Sequence, residues 1–245
     1  MSALLLGVTL VGAAAGLGLG VAARASAPAW AGLAAVLGHG AWLGLGFTSL
    51  TDDAVAAFVG ITALVTIGVL PTLALSISGL SSLDDAAISG ELPSRRAVAV
   101  SLDDAYAALA WVGVTLAGFA GAAGVVLAGS RDVFALLLAV ALGLVLALRT
   151  RQFPLVVHVV PLWAAAVAVL VAVAASPLLP TGVGAAIIGA IGVGAVVLVG
   201  ARPAPHVRVR LRRWGNLLEM VAVVSTVPLL LGVLAVYPDL LQVFP

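Results

Sequence analysis

Apolar residues fill eight stretches of roughly membrane length, separated by short polar breaks rich in Arg, Asp, Ser, Gly and Pro. A helix needs about 20 apolar residues to cross the hydrocarbon of a bilayer. The pattern predicts spans over 2–23, 31–50, 54–76, 105–128, 133–148, 155–175, 182–201 and 217–237. Water does not reach the backbone in lipid, so each span must satisfy its own hydrogen bonds as a helix. The expected fold is all-α, a polytopic transmembrane helical bundle forming a single membrane domain over 1–245. The fifth span is the shortest and has room to extend over Arg131–Asp132 or Arg149. Thr51-Asp52-Asp53 forms a tight turn between the second and third spans.

Charge orients this pattern. The chain has no Lys, and when it is threaded back and forth ten of its eleven Arg residues share one side. Only Arg131 falls on the other. Positive residues accumulate on cytoplasmic loops. The inner loops are therefore 24–30, 77–104, 149–154 and 202–216, and the outer ones 51–53, 129–132 and 176–181, with both termini outside. No basic residue precedes the first stretch, so it reads as a retained helix anchored by Arg24 rather than as a signal peptide. The 77–104 loop mixes Asp84, Asp85, Glu91, Arg95 and Arg96 and has room for a short interfacial helix near Ser94 to Val100. The 202–216 loop is the most basic.

Composition removes whole classes of function. The chain is 63% hydrophobic and 9% charged, against about 25% charged for a soluble domain. A water-facing surface cannot be built from so few charges. Without Cys there are no disulfides, thiolate metal sites or thiol catalysis. No catalytic constellation, cofactor motif or metal spacing is present, and the basic loop has no aromatic platform for nucleic acid. A secondary transporter needs broken helices and polar groups near the midplane. Here the span centres are Ala, Val, Leu and Gly almost throughout.

The candidate residues are few. Gly12, Gly16 and Gly20 form one smooth stripe, Gly40 and Gly44 another, with Ala185 and Gly189 a small pair on the seventh span. Such stripes let helices approach closely, within one subunit or against another. Arg95, Arg96, Arg149, Arg151, Arg208, Arg210, Arg212 and Arg213 are cytoplasmic basic anchors, available to lipid headgroups or to a partner. His39 lies mid-span and is either functional or a neutral ring bonded to a neighbouring helix. His158 lies where polar groups reach the interface easily, and His206 is in the basic loop. Glu219 reads as a charged cap in the first turn of the last helix, close enough to Arg208, Arg212 and Arg213 to pair with them. Asp103 and Asp104 take the same position on the fourth helix, with Ser101 as cap. Pro71, Pro161 and Pro228 lie inside spans. Trp30 and Trp214 are placed as interface anchors.

Three segments carry a resemblance. They are Leu70-Pro71-Thr72-Leu73-Ala74-Leu75-Ser76-Ile77-Ser78-Gly79-Leu80, then Leu148-Arg149-Thr150-Arg151-Gln152-Phe153-Pro154, then Arg212-Arg213-Trp214-Gly215-Asn216-Leu217-Leu218-Glu219. Their order, spacing and topological position resemble EccD, the polytopic membrane subunit of the actinobacterial type VII (ESX) secretion machinery. That family carries a cytoplasmic ubiquitin-like domain and eleven spans. This chain resembles the last eight, without that domain, and the parity agrees with the orientation read from arginines. The resemblance implies a structural, non-enzymatic subunit of the inner (cytoplasmic) membrane with no cofactor. It implies two copies per protomer, packed with EccB-, EccC- and EccE-like subunits around a lipid-filled space. The alternative from the residues alone is a small multi-span permease or exporter.

Overall fold

The computed structural model describes residues 13–14, 17–18, 21, 26–77, 94–153, 155–200 and 205–243, with backbone alone for 26–28, 73–77, 95, 97, 101, 195–200, 205–206, 208, 239 and 241–243. Among the described residues all regular structure is helical. The helices are α1 (Ser26–Gly46), α2 (Asp52–Ile77), α3 (Arg95–Ala128), α4 (Val133–Arg149), α5 (Val156–Ala174), α6 (Thr181–Gly200), α7 (Pro205–Val233) and α8 (Val236–Val243), with a 3-10 turn at Thr150–Gln152. Among the described residues five segments are long and apolar enough to cross a membrane: Asp52–Thr72, Val98–Ala128, Val133–Gln152, Val156–Ala174 and Val209–Val233. Thr181–Gly194 is a shorter apolar helix. The protein is a multi-pass membrane protein. The first expected span, 2–23, lies almost wholly outside the described residues.

Helix α3 is the hub. It packs against α1, α2, α4 and α5, while α4 also carries α7, and among the described residues α6 packs against α5 only. The buried face of α3 runs through Ala105, Ala108, Leu109, Leu116, Ala120, Ala123 and Leu127, the three-and-four spacing of one helix stripe. The centre is built from Leu64, Ile67, Leu138, Leu142, Val145, Leu146, Leu162 and Val169, all essentially inaccessible. In lipid an apolar side chain gains little by leaving the solvent, so close packing decides which face turns inward. Ala on α3 and α4 lets aliphatic side chains of the neighbours interlock.

The end opposite the arginine cluster is closed by caps. Thr51 accepts at Oγ1 from the Ala54 N–H (3.2 Å), with Asp52 and Asp53 in the first turn of α2. Asp132 caps α4 by accepting from the Phe134 and Ala135 N–H groups, both at 3.2 Å. Ser130 Oγ donates to Asp53 Oδ2 at 2.5 Å and links the two turns.

Three sequence expectations are corrected by where helices begin and end. The α1–α2 connection is 47–51, and Asp52 and Asp53 already belong to α2. The expected short helix near Ser94–Val100 is continuous with the fourth span, making one 34-residue helix, so Asp103 and Asp104 lie inside α3 rather than at its start. The basic 202–216 loop is helical from Pro205 onward, within a 29-residue helix. Proline's fixed φ suits a first helical position, and Arg and Leu are good helix formers. Polarity there marks the end of the apolar segment, not the end of the helix.

Candidate functional site

The most concentrated polar chemistry among the described residues lies at the arginine end of α4. The helix ends at Arg149 and tightens into the 3-10 turn, and Phe153 is extended (φ −98°, ψ 130°). Phe153 precedes Pro154, which disfavours helical φ/ψ at that residue. This stop places Arg149, Arg151 and Gln152 within one turn of each other. Thr150 Oγ1 donates to the Ala147 carbonyl at 2.6 Å and Arg151 Nε to the Leu148 carbonyl at 3.0 Å, which fixes the turn.

Helix α7 passes beside it. Gly215 and Glu219 are one turn apart and face α4. Glu219 Oε1 accepts from Gln152 Nε2 at 3.0 Å and lies 3.6 Å from Arg149 Nε; Oε2 lies 3.6 Å from Arg151 Nη2. Arg149 Nη1 also donates to the Leu64 carbonyl of α2. The side chains of Arg149 and Glu219 are only 14% and 13% exposed, that of Arg151 36%. Two glycines make room. A Cβ on Gly68 would sit 2.5 Å from Arg149 Nη2, and one on Gly215 would overlap the Arg151 guanidinium. One carboxylate thus holds two guanidiniums and an amide and ties α2, α4 and α7 together.

Burying charge is costly, and a pair recovers the cost only with good partners. Arg149 Nε is buried without a hydrogen bond, because 3.6 Å to Glu219 is an ion-pair distance only. The cluster holds two cations against one anion. It joins α2, α4 and α7 at one end of the bundle.

Glu219 is therefore corrected. It is the fifteenth residue of α7 rather than a first-turn cap, and its partners among the described side chains come from α4 and the following turn, not from Arg212 or Arg213. Arg149 and Arg151 turn into the bundle. Arg96, Arg210, Arg212 and Arg213 are exposed. Arg95 and Arg208 are placed by backbone only. His39 Nδ1 meets the Ala35 carbonyl of its own helix at 2.7 Å, so that nitrogen carries the proton. Its ring stands edge-on to Phe119 of α3, 4.9 Å between centroids. The neighbouring-helix hydrogen bond expected for it is replaced by an aromatic contact. His158 stands in the first turn of α5 and is buried (4% exposed), with Nε2 donating to the Tyr106 carbonyl of α3 at 3.1 Å. Gly40 and Gly44 face open space, with nothing within 4 Å of an added Cβ, as does Gly189. Gly12, Gly16 and Gly20 lie outside the described residues.

Sequence reasoning missed Gly68, Gly215, Gln152 and the Leu64 carbonyl as parts of one site. A signal was present: Gly215 and Glu219 share a helix face, and Arg149, Arg151 and Gln152 crowd one turn. The fold brings together the second and third of the segments that carried the resemblance, and the helix turn just before the first completes the cluster. A family model described as the EccD-like transmembrane domain matches residues 1–242. No curated protein matches the chain.

Proposed function

Because this chain belongs to the EccD-like transmembrane domain family, and is thereby a membrane component of type VII secretion, we propose that it is a structural subunit that acts by helix–helix assembly. The carrying observation is the Arg149–Glu219–Arg151 cluster. Its charges are spent on joining helices of this chain, as a rigid scaffold requires. The open Gly40 and Gly44 positions on α1 offer a smooth surface to a second copy. EccB-, EccC- and EccE-like subunits are the expected partners, and the arginine end faces the cytoplasm. The bundle takes eight spans when 2–23, α1 and α6 also cross. No catalytic role is assigned.

A permease needs a polar path. The cleft between α1, α2 and α3, about 340 Å³, is walled by Leu37, Leu45, Phe58, Leu116 and Phe119, with Thr62 and Thr66 as its hydroxyls. Thr66 already donates to the Thr62 carbonyl at 2.8 Å. That wall favours acyl chains over a polar solute.

The test is affinity purification of the tagged chain from a host carrying a type VII machinery. Recovery with a second copy and with EccB-, EccC- and EccE-like subunits is expected. Recovery alone, together with solute flux in proteoliposomes that His39→Ala abolishes, would replace the scaffold reading by transport.

A further inference from the structure

Helix α7 overshoots the bilayer at the arginine end, and the overshoot has two distinct faces. Its far end is level with the first turn of α4, since Gly232 lies against the Phe134 ring and the Tyr237 ring lies tilted beside that ring, 5.6 Å between centroids. Counting about 20 residues back from Val233 exhausts the hydrocarbon near Arg213. At about 1.5 Å per residue, the stretch from Arg212 to Val207 then rises about 8 Å, the depth of one headgroup layer. Arg210 and Arg212 stand in this stretch and Arg213 at its foot; all three are exposed, and among the described residues none has an ion-pair partner. Arg149 and Arg151, by contrast, are already held by Glu219.

Val207, Leu211, Trp214 and Leu218 recur at four-three-four spacing and form a separate stripe, 39%, 58%, 57% and 49% exposed. A stripe of that kind standing in water would lack a partner. At the boundary between acyl chains and headgroups it has one, and indole favours that depth. Guanidinium offers paired N–H donors that match a phosphate oxyanion.

We propose that Arg210, Arg212 and Arg213, with Trp214 beneath them, form a binding site for anionic phospholipid headgroups in the leaflet at the arginine end. The occupant is a lipid phosphate held between Arg210 and Arg213, which are neighbours at i,i+3, with Arg212 adding positive charge from another side of the helix and the acyl chains along the Leu211–Trp214 stripe. This needs the membrane placement of α7 and not the secretion role, so it stands or falls separately from the scaffold reading.

Native mass spectrometry of the full chain in neutral detergent tests it, with phosphatidylglycerol or phosphatidylcholine titrated in. About tenfold or greater preference for phosphatidylglycerol is expected, since each arginine near an anionic surface contributes about fivefold. The preference is lost in Arg210→Gln/Arg212→Gln/Arg213→Gln, weakened but not lost when all three are changed to Lys, and kept in Arg131→Gln at the opposite end. Equal binding of the two lipids by the unaltered chain, or an unchanged preference in the triple Gln variant, overturns the site. Displacement of the lipid by inorganic phosphate overturns it in favour of a free-anion site. Should the triple Gln variant lose its thermal transition, raised salt applied to the unaltered chain decides. Screening must weaken the preference, and insensitivity to salt contradicts the proposal.

Discussion

At the scale of single residues, Arg149 links three helices. It reaches α2 through the Leu64 carbonyl and α7 through Glu219, and it fits only because Gly68 has no side chain. Glu219→Gln leaves two half-buried guanidiniums without their counter-charge. Removing one partner of a fully buried pair costs about 3–5 kcal/mol; with 13–14% exposure here, about 2 kcal/mol is expected, read as a fall in denaturant resistance in detergent. The double change Arg149→Met/Glu219→Leu removes both charges and is expected to cost less than Glu219→Gln alone. A double variant weaker than the single one contradicts the ion-pair description. Gly68→Val forces the guanidinium off Leu64 and should destabilise by about 1–3 kcal/mol, whereas Gly40→Val, on an open face, should stay within about 0.5 kcal/mol in the isolated chain. Equal effects at the two glycines would remove the seat assigned to Gly68. The seat at Gly68 was not legible beforehand: it is one small residue in an apolar run, and its significance lies in an arginine 81 positions further along the sequence.

Individual helices show what hydropathy reads and what it does not. The apolar cores of α2, α4 and α5 were legible nearly to the residue, because oil-filling side chains and helix ends coincide there. They part company in α3 and α7. Both continue through charged residues, Asp103 and Asp104 in one and Arg208 to Arg213 in the other. A helix in water costs little to prolong when its residues have fair propensity and its first turn is already formed. The charged run therefore marks where lipid ends, while the backbone continues. Cysteine scanning from 207 to 218 tests this: thiol reactivity should oscillate with a period of about 3.6, lowest at the Gly215 side that faces Arg151. Uniform reactivity would restore the loop. Val209→Pro should cost about 3 kcal/mol if that segment is helical, and next to nothing if it is not.

Over the whole molecule, topology sorts charge. The start of α3, the end of α4 and the start of α7 bring Arg95, Arg96, Arg149, Arg151, Arg208, Arg210, Arg212 and Arg213 to one end, while Arg131 lies in the α3–α4 turn at the other. This segregation was legible from alternation alone, since each crossing reverses direction and the count of crossings fixes the side. The use of Arg149 and Arg151 inside the bundle was not, because loop position says nothing about which way a side chain turns. The proposed scaffold role makes one prediction that precedes partners and lipids, an arginine end at the cytoplasmic face. The direct measurement is labelling of Arg210→Cys and Arg131→Cys by a membrane-impermeant maleimide, possible because the chain has no native Cys. Both sites are exposed. The expected result is labelling at 131 in intact cells and at 210 only after permeabilisation; labelling at 210 in intact cells, with 131 protected, would contradict it.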